Sequence, residues 1–311
     1  MTKKKYVLID CDPGHDDIVA ILSTIANPDI FHILGITTVC GNNLVPLITE
    51  NMLNVLEYIH REDIPVCMGA DKPLFYPPSP QIAHGYNGLE GFEFPKLTIK
   101  TIDQNVITFM KEKILSSPEP VTIMALAPLT NIATLLKEEP TIINQIEQIV
   151  VMGGSWYRGN VIPHAEFNIY ADPHAAKEVF SGKIPTVIIP LECCDDCTIS
   201  EETVQSWTND KRYLTKMVGG IMDFFAIYGR KHQQTRHTIF DLAVTEYLIQ
   251  PEIFQGESCD CEVILTGEET RGQTIFTPNP NSKIHVLKNA DTNKFEKQII
   301  SDIHKLSTQI N

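Results

Sequence analysis

The chain of 311 residues predicts an open α/β fold, a mostly parallel sheet flanked by helices with a helical and small β elaboration at its C-terminal end. Three observations carry that expectation. Short β-branched runs, several apolar at nearly every position, alternate with stretches of helical periodicity, as strands covered on both faces require. The composition, 43% hydrophobic and 21% charged, is that of an ordinary globular protein with a core of useful size. The length is about twice that of a usual domain, yet no linker, repeat or low-complexity stretch interrupts it, so residues 1–311 are expected to form one domain.

Taken in order, the first strand is expected over residues 6–10. The basic opening and the apolar Tyr6-Val7-Leu8-Ile9 look like a secretory signal, but Asp10 and Asp12 stop the apolar run, so this is a strand rather than a targeting segment. A helix over 17–25, a strand over 31–39, and helices over 46–60 and 102–115 follow. Strands at 121–126, 149–152 and 186–191 then alternate with helices at 129–137 and 172–180. Asp172-Pro173 is a helix start, with Asp as the cap and Pro in the first turn, where its missing N–H costs nothing. Ser200-Glu201-Glu202 is another, with acids beside the positive end of the helix dipole. Helices over 212–232 and 240–248, strand-like runs near 261–265, 273–276 and 284–287, and a final helix complete the chain. In such sheets ligands bind beyond the carboxyl ends of the strands, so the chemistry is expected in loops that follow strands; the segments 68–100 and 153–171 stand out by length and composition.

Lys and Arg number 25 against 39 Asp and Glu, a net charge of −14, which argues against nucleic acid or an anionic membrane as the main partner and for a small molecule. No stretch reaches the roughly 18 apolar residues a spanning helix needs. The 8 cysteines are scattered and read as reduced thiols in the cytoplasm; the spacing of Cys193, Cys194, Cys197, Cys259 and Cys261 fits no zinc ribbon or finger.

The most informative stretch is Asp10-Cys11-Asp12-Pro13-Gly14-His15-Asp16-Asp17, where four carboxylates follow the first strand. Like charges this close raise one another's pKa unless a cation neutralises them. Oxygen ligands drawn from several loops favour a hard, geometrically tolerant ion such as Ca²⁺. The competing reading is that Asp16 or Asp17 merely caps the helix that begins there.

This stretch resembles the N-terminal fingerprint of the inosine-uridine-preferring nucleoside hydrolases, which cleave the N-glycosidic bond of ribonucleosides. Further blocks match in the same order: Gly41-Asn42, His84-Gly85 with Gly88-Leu89, Pro128-Leu129-Thr130-Asn131, Val151-Met152-Gly153-Gly154, Gly159-Asn160, Ala165-Glu166-Phe167-Asn168, Asp172-Pro173 and Arg271-Gly272-Gln273-Thr274. The resemblance implies a Rossmann-like sheet and a Ca²⁺ ion held by Asp12, Asp17, Asp241 and the main-chain carbonyl of Leu126. Ala127, where the family usually has glycine, is a mild departure that leaves this backbone ligand possible. It further implies that Asp16, Asn42, Asn160, Glu166 and Asn168 hold the sugar hydroxyls while Met152 packs beneath the ring. A water on the ion would attack C1′ after Asp12 takes its proton, with inversion and no covalent intermediate. A homodimer or homotetramer is implied as well.

The base end departs from the family. Many relatives carry a histidine directly before the metal-binding Asp of the C-terminal helix; here that residue is Phe240. His84 or His237 is left as the possible leaving-group acid, and Phe240 could instead stack on the base, which leans toward purine ribonucleosides over a pyrimidine-preferring or broad enzyme. Tyr228 is a candidate base contact, and Phe224 and Phe225 beside it read as core. Two other classes compete with this one. An aspartate-nucleophile phosphohydrolase needs a small hydroxylated residue where Pro13-Gly14 stands and a lysine that is not found. A non-catalytic nucleoside-binding protein would not need Asp12.

Overall fold

The computed structural model describes residues 4–78 and 84–310. The first half of the chain runs β1 (Lys5–Cys11), α1 (His15–Ala26), β2 (Phe31–Thr38), α2 (Val45–Tyr58), β3 (Val66–Met68), α3 (Val106–Ser116), β4 (Val121–Ala125), α4 (Thr130–Glu138) and β5 (Ile146–Met152). The middle adds α5 (Phe167–Ala171), α6 (Pro173–Val179), β6 (Thr186–Ile189), α7 (Leu191–Cys194), β7 (Thr198–Ser200), α8 (Glu201–Asn209), α9 (Tyr213–Lys231) and β8 (Arg236–Thr238). The last part contributes α10 (Leu242–Ile249), β9 (Phe254–Val263), β10 (Thr274–Pro278), β11 (Ile284–Ala290) and α11 (Thr292–Ile310).

These strands form a nine-stranded sheet in the order β10-β9-β11-β6-β5-β4-β1-β2-β3, while β7 and β8 pair apart from it. From β3 to β11 every pairing is parallel; only the β11-β9-β10 edge is antiparallel. The strand order reverses between β1 and β4, so the chain leaves the two strands in opposite directions and opens a crevice at their carboxyl ends. The small C-terminal β elaboration read from the sequence is thus an extension of the central sheet.

The core explains the apolar runs. Along β1, Val7, Ile9 and Cys11 face one apolar cluster with α1, α9, α10 and α11, and Leu8 faces a second with α3, α4 and α6. Both faces of the strand are buried, so alternation gives way to continuous hydrophobicity. Leu8→Ala would leave a cavity in a close-packed interior and cost about 2–5 kcal/mol.

Several boundaries differ from the sequence reading for identifiable reasons. The helix expected from residue 102 begins at Val106 because the Asn105 side chain caps it, accepting the Ile107 and Thr108 amides. β3, β7 and β8, of three residues each, are too short to carry periodicity. β9 spans ten residues from Phe254, starting before the run near 261, because its first half is polar and largely exposed. Asp172 and Ser200 do cap their helices, accepting the Ala175 amide at 3.0 Å and the Thr203 amide at 3.2 Å. Of the loop expected over 68–100, residues 79–83 lie outside the described residues. Among the described residues no helix is long and apolar enough to cross a membrane, and the cysteines are free.

Candidate active site

The loops after β1, β2, β4 and β5 and the start of α10 meet over an open cleft of about 210 Å³. Asp12, Asp16, Asn42, His84, Leu126, Met152, Asn160, Glu166, Asn168, Phe240 and Asp241, all named from the sequence, line it together with Val161, Phe167 and Phe225.

The acidic side is built by the turn between β1 and α1. Asp17 accepts the Gly14 amide at 2.9 Å and the Asp12 amide at 3.2 Å, so it does cap the turn, as the competing reading expected. It also joins Asp16 and Asp241 in a buried group whose ligand oxygens all lie within 4.8 Å of one another. Asp12 stands beside this group, its Oδ2 accepting the Asn42 amide at 2.7 Å while the Asn42 Nδ2 donates to the Asp12 carbonyl at 3.0 Å. Gly41 is required here, because a Cβ would sit 1.8 Å from Asp12 Oδ2. Burial and then mutual repulsion push the carboxyls of Asp12, Asp17 and Asp241 well up from the ordinary range, and burial raises Asp16 too. Asp16 Oδ1 is buried with no hydrogen-bond partner. An orphaned oxygen among desolvated carboxyls is what a hard cation would satisfy, and the oxygen-only donor set suits Ca²⁺. Among the described residues no other group of acids, histidines and cysteines is close enough to hold a metal, and the cysteines form no such cluster.

The Leu126 carbonyl belongs to the same wall. Its amide is held by the Asp10 carbonyl, and its oxygen accepts Asn168 Nδ2 at 3.1 Å. Asn168 Nδ2 also reaches the Met152 carbonyl at 3.1 Å. Glu166 caps α5 and accepts the Gly154, Asn168 and Ile169 amides at 2.8 to 3.2 Å, while burial lifts it to about 7 against those bonds. Asp10, which carries no site role in the sequence reading, braces this wall from behind: its Oδ1 accepts Thr37 Oγ1 at 2.6 Å and Asn131 Nδ2 at 2.8 Å.

The apolar part of the cleft contains His84, Phe225 and Phe240. His84 Nδ1 accepts the His15 amide at 3.2 Å and lies 3.0 Å from His15 Nδ1. Because Nδ1 accepts, the neutral ring carries its proton on Nε2. Burial holds His84 down to about 4, and burial followed by the His84 ring holds His15 down to about 3. His15, flanked by Phe224 and Phe225 at 5.4 and 5.3 Å, was missed from the sequence, although its place inside the acidic motif was the available signal. Phe225 packs against the core, as read from the sequence, and lines the cleft as well. Tyr228 does not line it; it is 71% exposed and its ring meets that of His232 at a tilt. His237 also lies outside the lining, with Nε2 turned onto Glu201 at 2.7 Å.

Solved structures with this architecture are nucleoside hydrolases. A plant nucleoside hydrolase, 28% identical, superposes with a TM-score of 0.89 over 97% of this chain and 99% of its own. A purine-preferring ribonucleoside hydrolase from Gardnerella vaginalis shares the fold at a TM-score of 0.91 over 98% of this chain and 100% of its own, with 24% identity. In sequence, the pyrimidine-specific ribonucleoside hydrolase RihA of Shewanella sp. (strain MR-7) is 36% identical over 276 residues, 86% of this chain and 85% of that protein. The RihA of Citrobacter koseri is 35% identical over 272 residues, 86% of this chain and 87% of its own. The model of the inosine-uridine preferring nucleoside hydrolases matches residues 7–297, and the chain belongs to that family. It is therefore a nucleoside hydrolase, an enzyme acting on N-glycosyl bonds.

Proposed function

We propose that the protein is a Ca²⁺-dependent ribonucleoside hydrolase in which Asp12, Asp17, Asp241 and the Leu126 carbonyl hold the ion and Asp12 is the general base. The observation that carries this reading is the orphaned Asp16 oxygen inside a buried carboxyl cluster that opens into a cleft lined by amides. When bound, the ion supplies positive charge that neutralises the carboxylates and acidifies a neighbouring water. The Asn42 amide fixes one oxygen of Asp12, leaving Oδ1 to take the proton from the attacking water. Asp16, Asn42, Asn160, Glu166 and Asn168 orient the ribose and Met152 packs under it, so C1′ stays within reach. The C1′–N bond breaks with its electron pair going to the base, and attack from the opposite face gives inversion.

For the base, we propose a pyrimidine preference. Support comes from the 36% identical relative named pyrimidine-specific and from His84, whose Nε2–H can donate to a carbonyl oxygen of the departing ring. A neutral imidazole stabilises the leaving group by hydrogen bonding rather than by surrendering a cationic proton. Phe240 favours the purine lean as a second reading, because stacking adds roughly 0.5–1.5 kcal/mol beyond area burial. A panel of inosine, guanosine, uridine and cytidine, with and without chelator, tests both parts. Reducing-sugar release that persists in chelator overturns the metal; inosine or guanosine as the best substrate transfers the base assignment to Phe240. Phe240→Ala should then slow inosine far more than a p-nitrophenyl riboside, whose leaving group needs no proton. A cytoplasmic location, to which the free thiols are suited, and a homodimer or homotetramer complete the proposal, and light scattering reads the mass.

A further inference from the structure

The chain between β5 and Asn160 is tied down by a carboxyl group that the chemistry above does not use. Glu192, buried in α7, accepts the Trp156 amide on Oε2 at 2.8 Å and the Tyr157 amide on Oε1 at 3.2 Å. Backbone amides leaving a strand need acceptors, and each one from Gly153 to Tyr157 has one: the Ile189 carbonyl, Glu166, Thr274 Oγ1, then Glu192 twice. Arg158 follows, ion-paired to Asp195 Oδ1 at 2.5 Å and donating to the Leu191 carbonyl at 3.3 Å. Two residues later Asn160 and Val161 enter the wall of the cleft, on a turn closed by the Asn160 amide on the Ala165 carbonyl at 3.1 Å. Glu166 secures the far leg of this loop through the Asn168 and Ile169 amides. Glu166, which lines the cleft, thus ties both legs, through Gly154 on one and Asn168 and Ile169 on the other, whereas Glu192, outside the lining, holds the near leg alone.

We propose that Glu192 is a positioning residue for the ribose: by docking the Trp156 and Tyr157 amides on α7 it sets where Asn160 stands, and the Asp195–Arg158 pair is a second, exposed tie on the same leg. This rests on the reading of Asn160 as a sugar contact. Because the latch acts at the sugar, its loss is felt alike with every leaving group, unlike a change at Phe240 or His84.

The test is a double-mutant cycle read with uridine and inosine. Glu192→Ala leaves two amides without their acceptor and should raise KM about tenfold for both substrates, with kcat changed less than about threefold. In an Asn160→Ala background the same change should add less than about twofold. Hydrogen exchange at the Trp156 and Tyr157 amides should speed up at least about tenfold in Glu192→Ala. An unchanged KM, or the full tenfold in the Asn160→Ala background, overturns the latch. If Asn160→Ala itself leaves KM unmoved, the sugar reading fails and takes the latch with it; if Asn160→Ala raises KM, only the latch is under test. Should Glu192→Ala not fold, Glu192→Gln, which keeps the volume and one acceptor oxygen, should show the same non-additivity at about threefold, and additivity there overturns the proposal equally.

Discussion

Two charged regions of this molecule, about equally acidic in sequence, are in opposite electrostatic states. Around α8, α9, β8 and α11, three acids meet a base: Arg230 Nε lies 3.0 Å from both oxygens of Glu201, its guanidinium 2.8 Å from Asp223, and Arg236 donates to Glu296 at 2.5 Å. Arg230 draws Glu201 down to about 2. Burial pushes Glu296 up, but bonds from Thr203, Ser200 and Arg236 outweigh it and leave it at about 2 as well. At the carboxyl ends of β1 and β4, Asp12, Asp16, Asp17 and Asp241 are buried with one another as their nearest charges, and every one of them is pushed up. The first region is complete as folded. The second gathers like charges with no basic group among them, the state that the proposed cation would relieve and that sets a binding site apart from a structural ion-pair network built of the same residue types.

The strongest way to break that contrast is to remove a carboxylate from the incomplete region. Asp12→Asn should lower kcat by about 10²–10⁴, the range of a lost general base, while a ribose-like inhibitor still binds. Asp241→Ala should lose Ca²⁺ and activity together, yet melt higher than the parent protein in chelator, because one of the mutually repelling acids is gone. Calorimetric titration of Ca²⁺ and melting in chelator measure the two effects. Full Ca²⁺ binding by Asp241→Ala would undo the ligand assignment.

Calcium and pH sharpen the same contrast. An acid whose folded pKa is raised keeps its proton in the folded state at a pH where the unfolded chain has lost it, so its burial costs progressively more stability as pH rises from its unfolded value near 4. For Glu166 that loss continues to about 7. The metal-free protein should therefore lose stability between pH 4 and 7. Calcium at about 100 times its Kd should restore about 2.7 kcal/mol at neutral pH and flatten the slope. The paired region has the opposite sign. The stability contributed by Glu201 and Glu296 is fully present above their unfolded pKa and is lost as pH falls toward 2. Arg230→Ala should cost about 1 kcal/mol of stability at pH 7, by removing the guanidinium from Glu201 and Asp223, with kcat unchanged. A comparable loss of activity would mean that the two regions are not separable.

How much of this was legible in the sequence follows from the same physics. The parallel core was legible because burial on both faces leaves continuous apolar runs, Asp12 and Asp16 because they fall in an acidic run after the first strand, and Asn42 and Asp241 through the family resemblance alone. Tertiary contacts without a local pattern were not. Phe225 sits in an aromatic run that also suits a core helix, and its place in the cleft depends on how α9 crosses α1. His15 meets His84, 69 residues away, at 3.0 Å between their Nδ1 atoms. Glu192 was visible as an acid among thiols in residues 192–197, but its partners are backbone amides 35 and 36 residues upstream, which no side-chain pattern announces.

The smallest expected effect tests the boundary between the two regions. His237 is three residues before Phe240 and four before Asp241, so proximity in sequence made it a candidate leaving-group acid. In the fold β8 turns its ring the other way. Nε2 meets Glu201 Oε2 at 2.7 Å, and a Cβ on Gly229 would come within 2.7 Å of Nδ1, so α9 packs closely against the ring and both nitrogens face the paired network. An acid must reach the atom it protonates through about 2.6–3.2 Å or one water, and His237 does not line the cleft. His237→Ala should therefore change kcat for uridine by less than about twofold while lowering the melting temperature, as expected when a buried group bonded to a charged partner is removed. His84→Ala, made in parallel, should slow uridine about tenfold or more and leave a p-nitrophenyl riboside nearly unaffected, because only the natural base needs the Nε2–H. If His237→Ala slows uridine as much as His84→Ala does and spares the nitrophenyl substrate in the same way, the paired region reaches the leaving group, and the division between structural and catalytic charge must be redrawn at Glu201.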